Sequence, residues 1–344
     1  MLKLYHRTKI GFCVIEKKEM DYMLSRRAYL KTPGNFVIEE RELIPNDDQV
    51  LVKIKICGLC NWELNFWKGN GPEDGLYRTY PYVLGHEWSG VVEEVGADVT
   101  HVKKGDKVCG LVNNEFGGFS EYAVPYADEV FKLSDDTDFD NAIAEPMKCI
   151  ATVIRLSTPT IGDTGLVVGC GPMGLWCTQA LKSNTLGNLI AVDVDDKKLE
   201  LAKSYGATHT INPLKEDAVA RISEITNGKM CDFVIEGTGN GKLISTTFDY
   251  LKKCGKLILM SSYETPLDGF DLPKLIGKCI KIIPAHPPAQ EAEDIYRAIA
   301  LINNGTFHNE DIITHRFSLD QINEAFKTLE NKPKDYIKGI IEFK

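Results

Sequence analysis

Between Leu30 and about Phe131, apolar and polar positions alternate in short runs. QVLVKIKICG at 49–58, VVEEVG at 91–96 and KKGDKVCGLV at 103–112 each carry that period of two, with turn residues between them. Such runs mark short strands, and their spacing predicts a small barrel or sandwich. Beyond Pro159 the rhythm changes. TGLVVGCGPMGLWCTQALKS at 164–183 reads as an apolar strand, a glycine turn and an amphipathic helix. LIAVDVDDKKLELAKSYGA at 189–207 repeats strand then helix, and CDFVIEGTG and GKLILMSS add two more strands. Alternating strands and helices predict a doubly wound parallel sheet with right-handed crossovers. The pattern breaks at the three prolines of IKIIPAHPPAQ, 280–290. A helix at 289–305 and a short β-like tail, KGIIEF, come after it.

The chain of 344 residues is long enough for two domains and a large core, and 43% hydrophobic with 26% charged residues is an ordinary globular composition. A net charge of −9, from 40 basic and 49 acidic side chains, argues against a nucleic-acid or anionic-membrane surface. No apolar run approaches the roughly 20 residues that span a bilayer. The N-terminal segment has neither an uninterrupted apolar core nor a small-residue cleavage site, so no secretory signal is expected. The expected location is the cytoplasm, where the ten cysteines stay reduced as core fillers or metal ligands. Residues 1–22 precede Met23 as an extension or a start-site artefact.

The glycine turn carries the first chemistry. Gly169, Gly171 and Gly174 have G-x-G-x-x-G spacing, with Cys170, Pro172 and Met173 between them. Set after a strand and opening a helix, such a turn brings backbone close to a pyrophosphate and aims free N–H groups and a partial positive charge at it. Asp193 lies 19 residues beyond Gly174, at the end of the next strand. A carboxylate there accepts ribose hydroxyls and repels a 2′-phosphate, so NAD is expected over NADP. The plainer alternative is a glycine turn of another α/β fold with Asp193 as a helix cap.

Cys57 and Cys60 in ICGLCNWELN have C-x-x-C spacing. A redox pair needs a helix N-terminus within a thioredoxin-like unit, yet Cys57 lies in an alternating strand. A structural zinc knuckle needs a second C-x-x-C, and there is none. Instead the chain continues to GHEWSG, with His86 and Glu87, and later to AEPMKC, with Glu145. Together with YVLGHEWSGVVEEVGADVTHVKKGDKV, GGFSEYAVP and VVGCGPMGL, these stretches resemble the zinc-dependent medium-chain dehydrogenase/reductase superfamily from about Leu30 to the end. The nearest branch looks like the polyol, threonine and sugar-alcohol dehydrogenases, whose late ligand is the Glu of a Glu-Pro pair.

The resemblance implies an N-terminal GroES-like β-barrel catalytic domain at 1–150, a Rossmann NAD-binding domain at 151–285, and a return to the catalytic domain at 286–344. It places Cys60, not Cys57, at the metal cysteine, with Gly58 at the family's glycine and Cys57 in the core. Cys60, His86 and Glu145 become zinc ligands, and Glu87 a fourth or alternating ligand or a base. The implied activity is zinc-dependent, NAD-linked hydride transfer from a secondary alcohol, giving a ketone.

Two departures stand out. The family's Ser or Thr two residues after the metal Cys, and its His five residues after, relay the alcohol proton; here those positions hold Trp62 and Asn65. Protons would then leave through Glu63, Glu87, His286 or water, and Trp62 either walls the substrate pocket or fills the domain junction. The four-cysteine lobe that holds a structural zinc is also missing after GDKV, so one catalytic zinc and no structural zinc is expected. Glu63, Asn65, Glu115 and His286 are polar candidates for the pocket wall and favour a polyol, cyclitol, sugar or aminosugar. Homodimers or homotetramers are common in the family. Two rival readings remain: a metal-free NAD(P)H-dependent quinone or enoyl reductase, and a non-catalytic NAD-binding sensor.

Overall fold

The computed structural model describes residues 23–71, 79–110, 117–182, 185–263, 267, 269–285 and 291–344. Glu115 and His286 lie outside the described residues, as does the segment 1–22. The chain opens with an antiparallel hairpin of β1 (Met23–Thr32) and β2 (Asn35–Leu43), turning at Pro33-Gly34 with Gly34 at φ +71°. The alternating pattern places the first strand near Leu30; the structure begins it seven residues earlier. The reason is that two inward positions are polar: Ser25 and Arg27 are buried and interrupt the apolar alternation.

The first large sheet is built on β3 (Val50–Gly58). After β3 come the short helix α1 (Asn61–Trp67) and the strands β4 (Trp88–Val95), β5 (Lys107–Gly110), β6 (Tyr122–Ala123) and β7 (Val130–Lys132). The helix α2 (Ala144–Ser157) then carries the chain out of this sheet. Val52, Ile54, Cys57, Trp88 and Val108 fill its interior together with Phe119 and Phe326.

The second sheet holds β8 (Thr164–Val168), β9 (Asn188–Val192), β10 (His209–Ile211), β11 (Cys231–Glu236), β12 (Leu251–Leu259) and β13 (Lys281–Pro284), all parallel, in the order β10-β9-β8-β11-β12-β13. Helices α3 (Pro172–Lys182), α4 (Asp196–Ser204), α5 (Ala218–Ile225), α6 (Ile244–Tyr250) and α7 (Leu272–Gly277) connect the strands. This is the doubly wound dinucleotide-binding order, with its switch point between β8 and β11. All five residues of β8 are buried, as a strand covered on both faces requires.

After α8 (Glu291–Asn303), β14 (Ile313–Phe317) and α9 (Ile322–Asn331), the last strand β15 (Lys338–Glu342) returns to the first sheet. It pairs antiparallel with β3, Ile341 against Cys57. The first sheet therefore runs β14-β15-β3-β4-β5-β7, with β6 also on β3. The helix α2 lies between the two sheets, packing in one apolar cluster with Cys109 and Phe131 on one side and Leu175 and Trp176 on the other. Among the described residues, no helix is long and apolar enough to cross a membrane.

Candidate metal and dinucleotide site

Three separated places in the chain meet beside α2. Cys60 is the N-cap of α1, in extended conformation at φ −111° and ψ 142°. His86 and Glu87 close the loop that leads into β4. The Cys60 Sγ, a His86 ring nitrogen and a Glu87 carboxylate oxygen all lie within 4.8 Å of one another. Glu145, in the first turn of α2, stands outside that group but brings Oε2 to 3.8 Å from His86 Nε2. The carboxylate expected as a primary ligand is thus set slightly back, and the one expected as fourth or alternating ligand sits inside the cluster.

Local backbone chemistry explains the convergence. Gly85 adopts φ +105°, and a Cβ there would lie 2.4 Å from the Phe119 backbone nitrogen, so only glycine lets the loop turn beneath the sheet. Gly58 has a different role: a Cβ there would fall 2.0 Å from Glu87 Oε2. The space left by its missing side chain is where the Glu87 carboxylate sits.

Glu63 does not line a pocket. It is fully buried, and its Oε1 accepts N–H bonds from Gly85 (2.6 Å), from the His86 backbone (3.2 Å) and from His86 Nδ1 (2.9 Å). That arrangement holds Nδ1–H against Glu63 and leaves Nε2 facing Glu145. Its Oε2 is buried without a hydrogen-bond partner among the described residues. Burial pushes the His86 imidazole down, but Glu63 and the Cys60 thiol outweigh it and raise its pKa well above the usual value. The Cys60 thiol is raised by burial and by Glu87, against the lowering influence of His86. Cys57 is wholly buried in the core with its thiol raised by burial, and it takes no part.

Two lysines that the motifs did not single out complete the electrostatics. Lys338, at the start of β15, is buried, donates to Leu59 O at 3.0 Å and makes a close ion pair with Glu87. Burial lowers its pKa, but Glu87 and the Cys60 thiol raise it by more. Lys148 is likewise buried, its Nζ 3.0 Å from Glu145 Oε1. Lys338 left a faint signal as a cation opening an otherwise apolar strand; Lys148 stood in plain view inside AEPMKC, masked by its helical setting.

Trp62, in the first turn of α1, is 41% exposed and meets the His86 ring edge-on at 5.4 Å and Phe66 at 4.6 Å. Asn65, one turn on, is half-buried. A thiol, an imidazole with its tautomer set, and two carboxylates make a donor set that suits zinc, in which the carboxylate behind the imidazole is the usual outer partner.

The glycine turn lies at the C-terminal end of β8. Gly169 has φ +91°, and a Cβ on Gly174 would be 1.9 Å from Gly169 O, so helix and strand approach as closely as only glycine allows. A Cβ on Gly171 would meet nothing within 4 Å, leaving open space above the N-terminus of α3, where Pro172 and Met173 begin the helix. Asp193 comes directly after the last residue of β9. Its Oδ2 accepts the Cys170 N–H at 2.6 Å and its Oδ1 the Asp195 N–H at 2.9 Å, joining the turn to the strand end.

Residues 46–135 match the alcohol dehydrogenase GroES-like domain, and residues 172–304 match the zinc-binding dehydrogenase domain. The chain belongs to the zinc-dependent medium-chain dehydrogenase/reductase family. It is 26% identical over 338 residues to a sorbitol dehydrogenase of Halalkalibacterium halodurans, covering 89% of this chain and 96% of that one. An L-threonine 3-dehydrogenase of Bacillus subtilis is 28% identical over 335 residues, covering 89% and 95%. The structure of an Escherichia coli alcohol dehydrogenase complexed with NADH superposes with a TM-score of 0.82 at 25% identity, covering 93% of this chain and 99% of that one. The protein is therefore an oxidoreductase of the alcohol dehydrogenase type, from a family that works with zinc and a nicotinamide cofactor.

Proposed function

We propose that this protein oxidises a secondary hydroxyl of a polar small molecule to a ketone, using one zinc ion and NAD. The substrate class is a polyol, cyclitol, sugar or aminosugar. The observation that carries the reading is the meeting of Cys60, His86 and Glu87 within 4.8 Å, with Glu145 beside them. Cys60, His86 and Glu145 would hold the ion, with Glu87 as an alternating ligand or a base, which leaves one position for substrate; among relatives, a sorbitol dehydrogenase and a threonine dehydrogenase support the polar substrate. Bound there, zinc supplies Lewis acidity that lowers the pKa of a coordinated hydroxyl, and NAD supplies the hydride acceptor.

The chain's own residues prepare the rest. Glu63 holds the imidazole in one tautomer and orientation. Lys338 holds Glu87, and Gly58 leaves room for it. The open N-terminus of α3 receives the pyrophosphate, and Asp193, with each carboxylate oxygen accepting one backbone N–H, keeps lone pairs for ribose hydroxyls. Trp62 stands where a hydroxyl relay would be; an indole donates a hydrogen bond but accepts no proton, so it walls the pocket beside His86 and keeps water off it. The proton leaves by Glu87, His286 or water. Glu63, bonded behind the imidazole, is a positioning residue rather than part of that route. Asn65, Glu115 and His286 remain substrate-side candidates. The same reading takes 1–150, 151–285 and 286–344 as the domain limits, no structural zinc, a cytoplasmic location and a homodimer or homotetramer.

The test pairs metal analysis with turnover. About one zinc per chain, and NADH absorbance on incubation with NAD and a panel of cyclitols, hexitols and aminosugars, is the expected result. A metal-free chain that reduces quinones or enones would replace this reading with the reductase; bound zinc with no turnover of any secondary alcohol would replace it with the sensor.

A further inference from the structure

The N-terminal turns of α2 present Glu145 with its two oxygens committed in different directions. Oε1 lies 3.0 Å from Lys148 Nζ and 3.9 Å from Cys149 Sγ, whereas Oε2 faces His86 Nε2 at 3.8 Å. An i,i+3 ion pair on a helix surface is ordinary and worth little. This one is not on the surface: the Lys148 side chain is 7% exposed and that of Glu145 17%. A buried ammonium beside a group of cation donors is costly unless a carboxylate holds it. Nor does metal binding by itself call for it, since the ammonium and a divalent ion repel each other.

The pairing acquires a purpose through the denticity of Glu145. A free carboxylate can close on a metal with both oxygens, adding a donor and filling a position. A catalytic zinc site needs one position left for substrate. We propose that Lys148 is a positioning residue: by holding Oε1, it leaves Glu145 only Oε2 to offer, so that Glu145 serves as a one-oxygen ligand and the site keeps an open position for the substrate hydroxyl. This rests on the metal reading of the site. The neighbouring pair has the same plan, with Lys338 held against Glu87 Oε2. Glu145 and Glu87 thus each carry a buried ammonium, and the two cations also offset the acids of the site when no ion is bound.

The experiment uses the full-length protein loaded with cobalt(II) in place of zinc, as wild type, Lys148→Met, Lys148→Gln and Lys148→Arg. In Lys148→Met the freed Oε1 joins the ion. The visible cobalt band then loses intensity as the coordination number rises, and zinc loss to a competing chelator slows about tenfold, the scale on which outer partners tune metal affinity. KM for the alcohol rises and kcat/KM falls, because the substrate hydroxyl must now displace Oε1, and Lys148→Arg restores both spectrum and turnover. A folded Lys148→Met with wild-type cobalt spectrum and chelator kinetics overturns the proposal, as does faster metal loss, which would make Lys148 a simple support of the helix. Should the Met variant not fold, Lys148→Gln is read by the same criteria. A wild-type chain that takes up neither cobalt nor zinc overturns the metal reading along with this one, whereas a metal-replete wild type with an indifferent variant removes the Lys148 role alone.

Discussion

At the scale of single residues, the site works through groups that touch other groups rather than the substrate. Glu63 sets the His86 tautomer through one oxygen bonded to Nδ1 and two backbone N–H groups. Glu63→Gln keeps its shape but replaces an acceptor-only carboxylate with an amide that carries N–H donors. The expected outcome is zinc loss to a chelator faster by about 10- to 100-fold, with the fold intact by circular dichroism. Asp193 is a second such residue. If NAD is the cofactor, as proposed, Asp193→Ser removes the charge that would repel a 2′-phosphate, so the NADP-to-NAD ratio of kcat/KM is expected to rise by at least about tenfold, about 1.4 kcal/mol, in initial-rate measurements. The sequence disclosed these two positions unequally. Asp193 stands in a local string of strand, glycine turn, helix and strand, so its place is set by neighbours within about one βαβ unit. Glu63 stands one helical turn from Cys60, and whether its side chain faces solvent or His86 depends on a loop more than 20 residues away. Sequence reasoning therefore put it on the pocket wall, where the structure does not.

At the scale of elements, α2 joins the two sheets and needs its own anchor. That anchor is Asp294 of α8, fully buried, accepting Thr152 Oγ1 at 2.6 Å, Arg155 Nε at 3.0 Å and Nη2 at 2.7 Å, and Arg297 Nη1 at 2.6 Å. Burial pushes its carboxyl up, yet the hydrogen bonds from Arg155, Thr152 and Arg297 prevail and hold it at about 2. Its folded value lies below the unfolded one, so the unfolded chain binds the extra proton, and the stabilisation is present above the ordinary carboxylate range and is lost as pH falls toward 2. Asp294→Asn is expected to cost about 2–3 kcal/mol near neutral pH, below the figure for a wholly buried pair because Arg155 remains 27% exposed. In urea titrations the gap between wild type and variant should narrow from pH 5 to pH 3; a gap independent of pH would remove the charge from the explanation. Nothing in EAEDIYRAIALIN marks Asp294 as inward-facing. Its amphipathic pattern predicts the helix, but the acid's partners come from Thr152 and Arg155, some 140 positions away.

At the scale of the whole molecule, the dinucleotide fold was legible because each of its units is local, and the first sheet was legible only in part because its closing strand comes from the far end of the chain. β15 pairs Ile341 with Cys57 and in the same step delivers Lys338 to Glu87. Fold closure and site electrostatics are therefore one event, and a spacing argument along β3 alone sees neither. Lys338→Met tests the coupling. It keeps the strand's apolar pairing but leaves Glu87 a buried carboxylate without its ammonium, a loss of about 3–5 kcal/mol in the metal-free protein. A zinc ion beside Glu87 would compensate that charge. Zinc stabilises the folded state through its affinity for it, so the rise in Tm on adding zinc should be larger in Lys338→Met than in wild type. A smaller rise in the variant would mean that Lys338 builds the metal site by holding Glu87 instead of standing in for the ion.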